Sequence, residues 1–300
     1  MKAVQWTVFI DMLGFSELNS KVVSDVMARG LIEFMNTNKE ILSAYEKFVR
    51  PAYKDNKQFN LYSWYDVKAA FISDSIVVTF KPKEMVGKWP QDQVLMHSAN
   101  ALILISMRLA TLMQKCLDER KIIFRGGISN GYCDIDGSFA VGLGLSAAHE
   151  AEAKKAIYPR LVLADDVVSN RVLIRKIKWL FKKMYGDSDF VICEDGITYI
   201  SVLNMMIVSG DPRAPSAAWQ LSNRVVRDTL MSAREKNQIF LSQQKSLIQE
   251  SIGIFYSRYR SEYTNTNQRH LNRKILKKYF WLRRHHNKTI QARGYDDYLI

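Results

Sequence analysis

An apolar run near the start of the chain, Val4–Ile10, stops abruptly at a carboxylate, Asp11. Its last residues, Val8-Phe9-Ile10, are apolar at consecutive positions, which predicts a buried strand rather than a half-exposed one. The segment Met12-Leu-Gly-Phe-Ser16 turns out of that strand, and a helical pattern follows over roughly Ser24–Val49, with Pro51 as its stop signal. Two further β-rich runs, Val67–Ile72 and Ser75–Phe80, flank Ser73-Asp74 and predict a hairpin. A strand that must be buried and a hairpin with its own apolar face together require a sheet covered by helices.

The rest of the chain continues this alternation. Lys81–Gln93 carries Pro82, Gly87 and Pro90 and reads as a loop; Val94–Leu117 reads as an apolar helix packed on the sheet. Lys121–Gly131 is strand-like around Gly126-Gly127, and Tyr132–Val141 carries a hairpin signal at Asp136-Gly137. An Ala-rich helix over Gly142–Ile157, a short strand over Pro159–Ala164 and a helix opening at Asp165-Asp166 follow. Val191–Leu203 predicts a hairpin around Asp195-Gly196, and Pro212 and Pro215 mark a loop. From Ala217 to Ile300 there is no proline and only Gly253 and Gly294, so that stretch is expected to be mostly helical. The fold class is α+β, with helices on a mainly antiparallel sheet. We divide the chain into a core over residues 1–180 and a hairpin-plus-helix extension over 181–300.

Charge narrows the partners. Lys and Arg number 43 against 30 Asp and Glu, a formal net charge of +13, which favours polyanions such as nucleotide phosphates, nucleic acid or an anionic surface. Cys116, Cys133 and Cys193 form no close pair, which argues against a zinc site and for a reducing compartment. The N-terminal residues show no signal-peptide core, and the apolar stretch at Ala101–Ile105 is too short to span a bilayer. The expected location is cytoplasmic, with no membrane span.

Asp11 and Asp74 carry the candidate chemistry. Each sits at the end of an apolar strand or hairpin. Carboxylates at the ends of adjacent buried strands can converge and bind hard divalent cations, leaving coordination positions for phosphate oxygens. The alternative is that each caps a turn or helix. Gly14 favours the first reading for Asp11, because a glycine lets the backbone approach a ligand, and Phe15-Ser16 leads into a helix whose N–H groups face anions.

These segments resemble the class III nucleotidyl cyclases. Phe9-Ile-Asp-Met-Leu-Gly-Phe-Ser16 is similar to their first metal motif, Ile72-Ser-Asp-Ser75 to their second, and Arg125-Gly-Gly-Ile-Ser-Asn-Gly131 to the strand behind the site. The helix opening Gly142-Leu-Gly-Leu-Ser-Ala-Ala-His-Glu150 also corresponds, so the resemblance covers roughly residues 5–165. Positions that read purines in that family are altered: a Lys falls on Ala70, an Asp on Phe139, and a transition-state Asn and Arg on Ser146 and Glu150. The pattern that remains looks like the pyrimidine cyclases of bacterial Pycsar anti-phage systems. Those share the Arg-Gly-Gly-Ile strand, the Ala147–Glu150 segment, the Tyr158-Pro-Arg-Leu161 strand and a helical tail like Tyr279-Phe-Trp-Leu-Arg-Arg-His-His-Asn287.

The resemblance implies a class III cyclase fold, ferredoxin-like, with a helical extension. It implies conversion of UTP, in preference to CTP, to the 3′,5′-cyclic monophosphate and pyrophosphate, and a separate effector that responds to the product. Two Mn²⁺ or Mg²⁺ ions would be held by Asp11, Asp74 and the carbonyl of Met12, and Gly14, Phe15 and Ser16 would hold the triphosphate. The site would lie across a head-to-tail homodimer. With Glu150 at the usual Arg position, the cation for the transferring phosphate would come from Arg125, Arg160 or the second subunit. A purine cyclase of the same fold and a non-enzymatic nucleotide- or RNA-binding module remain as alternatives.

The segment Arg269–Lys288 holds eight Lys and Arg and no acid. It reads as an amphipathic helix with Leu271, Ile275, Leu276 and Trp281 turned inward and a solvated basic face, so nucleic acid is not an expected partner. His149 is expected to pack rather than react, and Asn204-Met-Met-Ile207 to fill core.

Overall fold

The computed structural model describes residues 3–43, 64–84, 89–211, 213–215, 224–261 and 265–300. The end of the long N-terminal helical pattern, Pro51, Gly87, Pro212 and residues 217–223 lie outside them.

A seven-stranded sheet organises the fold. In chain order its strands are β1 (Trp6–Leu13), β2 (Tyr65–Ile72), β3 (Ser75–Pro82), β4 (Ile123–Ser129), β7 (Leu161–Leu163), β8 (Val191–Glu194) and β9 (Ile197–Ile200). Across the sheet they run β2-β3-β1-β4-β7-β9-β8, and β5 (Asp134–Asp136) and β6 (Phe139–Val141) form a separate small hairpin. Every pairing is antiparallel except β4 with β7. The fold class is therefore α+β with a mainly antiparallel sheet. The β8–β9 hairpin extends the same sheet, and residue 180 lies inside the helix Arg171–Tyr185.

The helices are α1 (Phe15–Ser20), α2 (Asp25–Ser43), α3 (Gln91–Arg120), α4 (Leu143–Lys155), α5 (Asp165–Ser169), α6 (Arg171–Tyr185), α7 (Val202–Ser209), α8 (Arg224–Arg260) and α9 (Thr266–Gln291). Strand β1 is covered on both faces, as its composition demands. Trp6, Val8, Ile10 and Met12 enter the main core with α3, while Thr7, Phe9 and Asp11 face α4. Helix α3 has the length and hydropathy of a membrane span, but 67% of its most apolar window is buried inside the protein, the pattern of a core helix. Helix α7, with Met205 and Met206, is buried almost completely and supplies core, as its composition suggested.

The loop expected over Lys81–Gln93 is shorter at both ends. Lys81 and Pro82 continue β3 at its exit, and Gln91 already opens α3. At Asp136-Gly137 the turn is displaced by one residue, because Asp136 pairs with Phe139 and Gly137 takes φ 58°. The hairpin at Asp195-Gly196 follows its signal, with both residues at positive φ. Leu271, expected inward, is 56% exposed. The buried stripe of α9 runs through Asn272, Leu276, Trp281, His286 and Ile290, and Leu271 lies about 100° around the helix from it.

The glycines of β4 have a specific task. A Cβ at Gly127 would lie 1.9 Å from the Ala148 carbonyl oxygen, and one at Gly144 would lie 2.2 Å from the Gly131 oxygen. Helix α4 therefore packs backbone to backbone on β4, which brings the α4 side chains down to the level of the sheet. Replacing Gly127 by Ala is expected to lift α4 and to cost about 3 kcal/mol of stability, the upper end for overpacking. Urea denaturation of the variant measures it.

Candidate active site

The site forms where β1 leaves the sheet. Asp11 stands opposite Ser75 on one side and Arg125 on the other. Antiparallel partners point to the same face, so Asp11 and Arg125 project together toward α4. The Arg125 Nε–H donates to Asp11 Oδ2 at 2.7 Å and lies 2.9 Å from Glu152 Oε1. All three side chains are largely buried. One guanidinium thus faces two carboxyl groups, which come from different elements. Burial raises the Glu152 carboxyl above the ordinary glutamate range despite the opposing pull of Arg125, and the Asp11 charge adds to the rise.

Asp74 lies in the β2–β3 turn, whose Ser73 takes φ 58°. The two acidic segments are joined directly: the Met12 N–H donates to the Asp74 carbonyl oxygen at 3.0 Å. Among the described residues the Asp74 carboxylate forms no hydrogen bond or ion pair, and its residue is half-buried. The Met12 side chain is in the core. Gly14 adopts φ 97° as the residue before α1, a conformation that a side chain would strain. Phe15 is buried and Ser16 is exposed.

The positions that depart from the purine-specific pattern have ordinary surroundings. Ala70 packs with Val77, Cys133 and Ile135 in a small apolar cluster. Phe139 is 79% exposed at the β5–β6 hairpin. Glu150 pairs with Lys154 at 2.6 Å along α4. His149 meets the edge of Phe9 at 4.9 Å, a packing contact.

Arg160 is withdrawn from the chemistry. It lies over the rings of Tyr158, Tyr199 and Trp281, with its guanidinium carbon 5.1–5.6 Å from their centroids, and it is 5% exposed. Its Nη2 donates to the Lys155 carbonyl at 3.3 Å. Glu194 collects the Tyr199 hydroxyl, the Trp281 indole N–H and Arg284 around this cage, and His285 stacks on Trp281. Burial drives the His285 pKa down to about 4. A desolvated arginine on aromatic faces contributes about 2 kcal/mol per good contact. Here it fastens α9 to the edge of the sheet.

Two residues of the site escaped sequence reasoning. Glu152 had a signal: Gly144, Ala148 and Glu152 recur every four residues, so the acid continues a stripe of small residues against β4. Lys278 of α9 had none. It is half-buried and feels Arg125, Asp11 and Glu152, which come from three distant parts of the chain.

No protein-family model matches the chain, and no curated protein matches it by sequence. Among solved structures, the crystal structure of the guanylyl cyclase Cya2 aligns over 67% of this chain and 94% of that chain, at 10% identity and a TM-score of 0.29. A superposition this loose carries no argument about fold or activity.

The elevated Glu152 pKa has a consequence for stability. A carboxyl whose folded pKa lies above its unfolded value favours the fold at acidic pH, and that contribution is lost as pH rises through the folded pKa. Glu152→Gln removes this ionisation. Its stability relative to the parent is expected to be level below the ordinary glutamate range and to rise with pH beyond it, as measured by thermal melts from pH 4 to 8.

Proposed function

We propose that the chain is a nucleotidyl cyclase of the class III kind that acts on a pyrimidine nucleoside triphosphate, UTP before CTP. The ribose 3′-oxygen bonds to the α-phosphorus, the bond from that phosphorus to the α–β bridging oxygen breaks, and pyrophosphate leaves. The proton of the 3′-hydroxyl passes to solvent, so no side chain need act as base.

One observation carries the reading. Asp11 and the turn bearing Asp74 are brought to the same end of adjacent strands, with the Met12 N–H bonded to the Asp74 carbonyl. The donor set there is carboxylate and carbonyl oxygen, which suits Mg²⁺ or Mn²⁺ and no soft metal. When bound to Asp11, Asp74 and the Met12 carbonyl, two such ions supply acidity to the 3′-hydroxyl and neutralise charge on the triphosphate. The chain does the positioning. Arg125 holds Asp11 in a fixed orientation and keeps its charge compatible with the apolar strand around it. Gly14, Phe15 and Ser16 form the turn beside these oxygens, where a triphosphate would lie.

Pyrimidine selectivity is supported by what stands at the purine-reading positions: a buried Ala70 and an exposed Phe139 offer no donor or acceptor to a purine edge. A homodimer is supported by the apolar side chains of Phe139, Val141 and Leu143, which are 64–83% exposed on one stretch of chain. The cyclic product would act through a separate effector, in a response to phage infection.

The test is incubation of the purified chain with each of the four ribonucleoside triphosphates and Mn²⁺, with product analysis. Cyclic UMP or CMP is expected; cyclic AMP or GMP would select a purine cyclase, and no product would select a binding module. Asp11→Asn and Asp74→Asn are each expected to lower turnover at least about 100-fold with unchanged circular dichroism. Full activity in either variant refutes the scheme. For the dimer, Leu143→Asp is expected to shift the chain toward monomer in sedimentation with unchanged circular dichroism, and to lower the melting temperature only by the stability that association supplies.

A further inference from the structure

A cavity of about 560 Å³ opens beside the Leu13-Gly14 turn. Its walls come from both halves of the molecule: α1 and the start of β4 on one side, α8 and α9 on the other. Five cations line it against two carboxylates, Glu17 and Glu250. Most of these cations are engaged. Lys21 pairs with Glu17 at 2.9 Å, Lys121 with Glu250 at 3.1 Å, and Arg120 lies over Phe34.

Lys278 differs from them. It borders the cavity together with Leu13 and Gly14, the residues that follow the Asp11-Met12 segment, and no ion pair joins it to a carboxylate among the described residues. We propose that Lys278 is a phosphate-binding residue, and that the cavity holds the polyphosphate tail of the substrate between this lysine and the Gly14 turn. The inference rests on the reading of a nucleoside triphosphate as substrate and adds to it a cation for the departing pyrophosphate.

Three physical arguments support it. A half-buried ammonium is costly unless an anion meets it. Lys278 is such a group, and a phosphate in the cavity would meet it. Next, Lys278 is held in place: Trp281, nearly one turn further along α9, is locked into the aromatic cage of Arg160, with its ring stacked on Tyr158 at 5.2 Å. Tyr279, its immediate neighbour, stacks on Phe255 of α8 and also lines the cavity. Finally, lysine suits the task. It binds phosphate as a compact point charge on a flexible stem and tolerates the motion of a tail that must leave as pyrophosphate. The aromatic cage thereby gains a purpose beyond stability, since it sets the reach of the lysine.

The test uses inorganic tripolyphosphate with Mg²⁺ as the probe and the full chain in titration calorimetry. Lys278→Ala and Lys278→Gln are each expected to weaken binding about 10-fold or more, the worth of a charge-assisted hydrogen bond. Lys278→Arg should stay within about 3-fold of the parent on the same grounds. Lys277→Ala, on the exposed side of the same helix, should bind as the parent does. Unchanged affinity in both Lys278 variants, or an equal loss in Lys277→Ala, overturns the proposal. Having two substitutions keeps the test decisive should one of them fail to fold. The outcome also separates from the cyclase reading. If the parent binds tripolyphosphate through Lys278 yet forms no cyclic product, the cyclase reading fails and this site stands. If the parent cyclises UTP or CTP and both Lys278 variants keep its KM and kcat, this site fails and the cyclase reading stands.

Discussion

The direct contact between the backbones of α4 and β4 governs everything built at this end of the sheet. With no Cβ at Gly127, α4 drops until its Ala148 carbonyl occupies that volume, and Glu152 one turn later reaches Arg125. Arg125 in turn is fixed by register opposite Asp11. A helix standing even one side chain further from the sheet would leave Glu152 short of the guanidinium, and Arg125 would face Asp11 alone. The close packing at Gly127 thus brings a second, largely buried carboxyl onto Arg125, where burial holds its pKa up.

Much of this was legible because it is local. The hairpin around Ser73-Asp74 and the Asp195-Gly196 turn are each determined by neighbours in sequence, and each forms where its pattern predicts; the strand expected over Val4–Ile10 instead starts at Trp6 and, because β4 pairs with it that far, runs past Asp11 to Leu13. The Asp136-Gly137 turn slipped by one residue because pairing of Asp136 with Phe139 overrode the dipeptide signal. What could not be read was the content of long-range contacts. Arg160 looked like a spare cation near the site; only the rings of Tyr199 and Trp281, from distant parts of the chain, turn it into an anchor. Lys278 sat among eight similar cations with no local mark to distinguish it. Its distinction is a cavity that it shares with Leu13 and Gly14 from the other end of the chain.

The C-terminal helices therefore do more than cover the sheet. A basic, proline-free tail could have been a solvated face or a polyanion-binding surface. Instead, α9 buries Leu276 and Trp281, sets His286 between Gln244 and the Tyr298 carbonyl, and turns Ile275, Lys278 and Tyr279 toward a cavity beside Gly14. Of the eight cations in Arg269–Lys288, only Lys278 lines that cavity.

The central claim is that the carboxylates of Asp11 and Asp74 grip divalent ions against a triphosphate. The most direct measurement is a crystal structure of the chain soaked with Mn²⁺ and 3′-deoxy-UTP, which binds but cannot cyclise. Anomalous scattering peaks about 2.2 Å from oxygens of both carboxylates, with the phosphates against Gly14, are the expected result. Manganese found elsewhere, with Asp11 engaged only by Arg125 and Asp74 facing solvent, would contradict it.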